Sequence, residues 1–154
     1  MGSDYRYGIE VYRLTRTVWW GNDNDDDDLN PINVTEIGQN NLYGSGEENI
    51  LQQNLTISDT ETWNDLLDKM NTANNESDEF TETDIDFEEF VVIAVFDKIY
   101  GNGGHSIDII KITENENKVI VKIENIMGGD ATSIMTQPFH IVKIPKTDKL
   151  IIFE

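Results

Sequence analysis

Seven consecutive apolar residues, Phe90-Val91-Val92-Ile93-Ala94-Val95-Phe96, constrain this chain more than any other feature. A short apolar run rich in β-branched residues reads as a strand. Strand side chains point alternately to opposite faces. Both faces of this strand are apolar, so it must be covered on both sides.

The chain around that run is also β. Gly101-Asn102-Gly103-Gly104 is a turn, and 106–112 is a strand with Ile107 and Ile109 on one face. Asn115-Glu116-Asn117-Lys118 turns the chain into the alternation Val119, Val121, Ile123. Gly128-Gly129-Asp130 opens a further loop before strands at 139–144 and 150–153. Short loops between these strands imply antiparallel neighbours.

One helix stands out. Trp63, Leu66, Leu67 and Met70 recur at i, i+3, i+4 and i+7, an apolar helical stripe. Ser58 and Glu61 have the spacing of a capping box, which predicts a helix over 59–70. Asp59 and Glu61 suit its positive end and Lys69 its negative end. Residues 71–84 are polar and acidic and read as a surface loop. Residues 33–57 read as short strands and turns.

The N-terminal stretch 5–20 alternates, then changes parity near Tyr12-Arg13, as a β-bulge or a second strand would. Trp19 and Trp20 then point to opposite faces, which leaves one of them exposed, and the pair is a candidate dimer face. Residues 22–28 follow as an Asn/Asp run. The fold expected is α+β: a mostly antiparallel β-sheet or sandwich with one packed helix. Residues 1–33 carry the N-terminal strands and acidic loop, and 34–154 form a domain with its core at 85–154. The two parts are expected to make one compact unit. Met1-Gly2-Ser3-Asp4 reads as an artificial start in place of a removed leader.

Charge narrows the partners. The 154 residues carry 30 acids against 11 Lys and Arg, a net charge of −19. Nucleic-acid binding draws on Lys and Arg neutralising phosphates, so it is excluded as a function class. Docking on anionic lipid is excluded on the same ground. Cys is absent, which removes disulfides, thiol catalysis and thiolate zinc sites. No apolar run approaches the roughly 18 residues of a membrane-spanning helix.

Several groups invite a chemical reading. Asp23, Asp25 and Asp27 have the alternate spacing of a Ca²⁺ loop, whose ion takes six to eight oxygens. Asp28 stands where such a loop needs Gly and Val34 where it needs Glu, so a solvated acidic loop competes with that reading. His105 and His140 are the only histidines. Neither has a nucleophile context, and no G-x-S-x-G is present. The Gly101–104 turn lacks the Lys-Ser/Thr of a phosphate loop and opens a strand, not a helix. Its glycines serve geometry: they permit positive φ and close approach of another backbone.

Three stretches carry a family resemblance. The first is 85–96 with its apolar run. The second is Gly103-Gly104-His105-Ser106-Ile107. The third is Gln137-Pro138-Phe139-His140-Ile141-Val142-Lys143-Ile144-Pro145-Lys146. In order and spacing they resemble the PrcB C-terminal-domain family, which pairs a "vIavf" strand with a "TGGYSI" turn and ends in "PYHIVKIPK". The helix around Trp63 also looks like that family's pattern. The likeness covers about 34–154. Two differences stand out: Asn102-Gly103-Gly104-His105 replaces Thr-Gly-Gly-Tyr, and the loop before Pro138 is shorter.

The resemblance implies an accessory subunit of a secreted bacterial protease. Such a protein would be an exported or cell-envelope lipoprotein without catalysis or cofactor of its own. Its partner would be a protein, with the contact on the loops of Gly101, Asn102, Gly103, Gly104 and His105 and of Gly128 and Gly129. A protease inhibitor wedging the same loops into an active site, a Ca²⁺-dependent module and a metal-assisted enzyme are the rival readings.

Overall fold

The computed structural model describes residues 29–43, 46–130 and 132–154. They divide into two compact units, 31–113 with 117–154 and 1–30 with 114–116. The second is described only at 29, 30 and 114–116. The strand expected at 5–20, Trp19, Trp20 and the Asp23–Asp25–Asp27 triplet lie outside the described residues.

The elements run β1 (Asn30–Pro31), β2 (Thr35–Tyr43), β3 (Gln53–Ile57), α1 (Thr60–Met70), β4 (Phe90–Phe96), β5 (His105–Glu114), β6 (Lys118–Met127), β7 (Thr136–Pro145) and β8 (Leu150–Phe153). They form two four-stranded sheets, β1-β5-β6-β8 and β2-β7-β4-β3. The second sheet is antiparallel throughout, with Ile93 opposite both Thr56 and Val142. The α+β sandwich expected from the sequence is the fold.

β4 is covered on both faces, as its apolar run requires. Val92, Ala94 and Phe96 join Trp63, Leu66 and Met70 of α1 in one core. Val91, Ile93 and Val95 join Ile107, Val119 and Val121 in a second core between the sheets. The order of layers is helix, sheet, sheet. Burying each large apolar side chain contributes roughly 1.5–3 kcal/mol, so the two faces of β4 are the main source of cohesion.

Several expectations are corrected. The helix cap is Asp59, not the Ser58–Glu61 pair. Its backbone is extended, and its carboxylate accepts Thr62 N–H at 2.7 Å and the Thr62 hydroxyl at 3.0 Å. Oxygen acceptors this close relieve the free donors of the first turn, and the helix starts one residue later.

Residues 71–84 are more than a surface loop. They hold a 3₁₀ turn (Glu76–Glu79), bury Glu76 and receive the Trp63 indole N–H on Thr83 O at 2.8 Å. They also cover the outer edge of β2: Thr81 N–H reaches Ile37 O at 2.9 Å and the Thr81 hydroxyl reaches Glu36 O at 2.8 Å. β2 is nine residues, longer than the short strands expected there.

β8 pairs with β6 in parallel, against the antiparallel expectation. The short 146–149 connection carries the chain from one sheet to the other instead of folding a hairpin. Lys146 anchors the departure, donating from N to Glu89 O at 2.9 Å and from Nζ to Phe87 O at 2.8 Å. No helix among the described residues is long and apolar enough to cross a membrane.

Candidate functional site: the two glycine loops

Strand ends bring the 97–104 and 128–135 connections to one end of the sandwich, because β4 and β6 finish there and β5 and β7 begin there. The two glycine turns singled out in the sequence meet each other. Gly104 has φ +84° and Gly129 has φ +67°, both in the left-handed region that favours glycine. A Cβ on Gly104 would sit 2.8 Å from the carbonyl carbon of Gly129 and 3.0 Å from the nitrogen of Asp130. Gly129 N–H donates to Gly104 O at 3.3 Å. The backbone that these glycines admit is the chain's own.

Side chains lock the pair. Asp130 Oδ1 accepts both Thr132 N–H, at 3.0 Å, and the Thr132 hydroxyl, at 2.6 Å. Thr132 Oγ1 in turn accepts Gly103 N–H at 3.0 Å. The Thr132 hydroxyl, then its N–H, holds the Asp130 carboxyl below its ordinary range, with smaller help from Gly103 N–H and His105. Asn102 Nδ2 donates to Asp130 O at 3.2 Å, which turns its Oδ1 toward His105 Nε2 at 2.8 Å. His105 Nε2 is thus the protonated nitrogen. Its Nδ1 is buried and has no hydrogen-bond partner among the described residues.

Beneath the loops lies a buried support. The His105 ring stacks on Tyr100, centroids 3.7 Å apart and planes within 6°. The Tyr100 hydroxyl donates to Asp97 Oδ2 at 2.9 Å. Burial, then that bond and the Asp97 charge, push the Tyr100 phenol up to about 12. Tyr100 and Thr136 exchange both main-chain bonds, and the Thr136 hydroxyl donates to Asn102 O at 2.8 Å. Gln137 Nε2 ties Ile50 O at 2.8 Å to Asp97 O at 3.0 Å.

Several large apolar side chains near this corner are exposed. Met127 is 62% exposed and Ile134 53%, and Ile99, Ile126 and Met135 are also exposed on the same connections and strand ends. The polar locks hold backbone and leave these side chains in solvent.

His140 belongs elsewhere. It is buried on β7, where Nδ1 accepts Ile109 N–H at 2.8 Å and Nε2 meets Glu36 Oε1 at 3.0 Å. It joins the sheets, and the two imidazoles share no site. Sequence reasoning brought up Gly101–Gly104, His105, Gly128 and Gly129, and the structure places all but the open, exposed Gly101 in the lock. It missed Asp97, Tyr100, Thr132 and Thr136. The Asp130-x-Thr132 spacing of a side-chain-capped turn was the one available signal for Thr132. Compared with known proteins, the chain matches no family model, no curated protein and no solved structure.

Proposed function

We propose that this protein is a non-enzymatic interaction module that grips a protein partner through its glycine-loop end. The observation that carries the reading is the exposed apolar rim, Met127 and Ile134 foremost, held on two loops that are fixed backbone to backbone. A rigid contact surface loses little entropy on binding, so its apolar area converts into affinity. Loops on a firm β scaffold are where binding usually resides. The resemblance to the PrcB C-terminal-domain family supports an exported accessory protein and a protease as the partner.

The test is co-purification from the native cells with the parent chain and with Met127→Asp plus Ile134→Asp. Both positions are exposed, so the variant keeps the parent's melting temperature. The expected result is one stoichiometric partner that the variant loses. A partner held equally by both chains overturns the reading. If that partner is a protease, slower loss of its activity supports the accessory role, and stoichiometric inhibition replaces it with the inhibitor role.

A further inference from the structure

The two long sides of the sandwich are finished differently. On the β2 side, main-chain edges are covered. Segment 71–84 occupies β2, through Thr81 and through Asn74 Nδ2 on Tyr43 O at 3.1 Å. Gln39 Nε2 donates to Ile107 O at 2.9 Å, and His140 takes Ile109 N–H, so main chain of β5 is covered by side chains of the other sheet. On the opposite side β3 and β8 each have one ladder partner among the described residues, β4 and β6 respectively.

Exposed edges usually carry Lys, Pro or a bulge that blocks further pairing. Gln53-Asn54-Leu55-Thr56-Ile57 and Leu150-Ile151-Ile152-Phe153 carry none of these. Between the two edges opens a cleft of about 390 Å³, a size that holds a few residues of peptide. Ile107, Ile123 and Phe153 give it apolar wall, and Asn54 and Asn125 give it amides, each both donor and acceptor. Glu154 adds a carboxylate.

We propose that this cleft takes one extended, basic peptide segment of a partner by strand addition to β3 or β8. Strand addition draws affinity from main-chain hydrogen bonds and register from alternate side chains, and among the described residues β3 and β8 each keep one side without a ladder partner beside this amide-lined cleft. Charge decides the occupant. A second copy of this chain would bring another net −19, and repulsion opposes it. A Lys-bearing segment complements both Glu154 and the whole chain. The cleft lining shares no residue with the exposed apolar side chains of the glycine-loop end, although Phe96 and Asn125 adjoin that end.

The probe is an end-blocked heptapeptide alternating Val and Thr with two Lys, titrated into the ¹⁵N-labelled chain. Two derivatives carry N-methyl groups on the odd or the even amides. The expected result is amide shifts confined to β3, β8 and the residues lining the cleft. At least one methylated derivative binds tenfold more weakly, and so does a version with Glu in place of Lys. Absence of shifts at millimolar peptide, shifts elsewhere, or binding of both methylated derivatives as tight as that of the unmethylated peptide overturns the proposal. So does light scattering that shows the free chain paired with itself through β3 or β8.

Discussion

His140 Nδ1 accepts the main-chain N–H of Ile109 at 2.8 Å, a bond that fastens β7 of one sheet to β5 of the other. Both groups are buried, so neither can turn to water. His140→Leu fills similar space and leaves the Ile109 donor unpaired. A buried donor without a partner costs about 1–3 kcal/mol. Denaturant unfolding is expected to show that loss, and hydrogen exchange is expected to speed up at the Ile109 amide first.

Gly104→Ala tests the lock between the loops. Positive φ alone costs a residue with a Cβ about 1–2 kcal/mol. The added methyl also meets Gly129 backbone at 2.8 Å, which has no flexible end to move aside. Chemical unfolding should give a loss of about 2 kcal/mol or more from these two causes together. Gly101→Ala, with nothing within 4 Å of its Cβ, should leave stability unchanged.

Glu76 gives a stability change with a defined direction in pH. Burial, then repulsion from Glu79 and Glu48, raises its pKa above the ordinary 4.5, against a weak Asn40 hydrogen bond. A carboxyl raised by folding favours the native state when protonated. That contribution is full below 4.5 and is lost as pH rises through the higher native value. Glu76→Gln should therefore melt higher than the parent at pH 7, and the gap should narrow as pH falls toward 4.5. A variant that melts lower at pH 7 contradicts this account of Glu76.

Tyr100 supplies the alkaline counterpart. Its phenol, raised to about 12, adds stability below its unfolded value near 10, and that stability is lost as pH climbs toward 12. Ultraviolet difference titration should show a phenolate appearing near 12, and Tyr100→Phe should remove that step. Losing the bond to the Asp97 carboxylate should cost about 1.5–3 kcal/mol at neutral pH.

Much of the fold was legible in the residues. The Phe90–Phe96 run announced a strand covered twice, and the Trp63 stripe announced the helix that covers one face. Periodicity reports burial, and both features are buried as their period demands. The polar strand β2 was harder to read, because Gln39 and Asn40 spend their amides on partners 68 and 36 residues away. The parallel β6–β8 pair was hidden for a similar reason: loop length does not say which sheet a chain enters next. Glycine spacing revealed two turns, yet their meeting depends on Asp130 and Thr132 closing over Gly103, a tertiary relation that no local pattern carries.

If a partner covers the glycine-loop end as proposed, methionine oxidation of the co-purified complex will show it. Met127 and Met135 are 62% and 37% exposed, whereas Met70 is fully buried. Of these three, in the free chain peroxide should oxidise Met127 first, Met135 more slowly and Met70 only on unfolding. In the complex Met127 and Met135 should both be protected at least several-fold, and oxidation of either beforehand should weaken assembly. Equal oxidation of Met127 and Met135 in the free chain and in the complex would contradict the account.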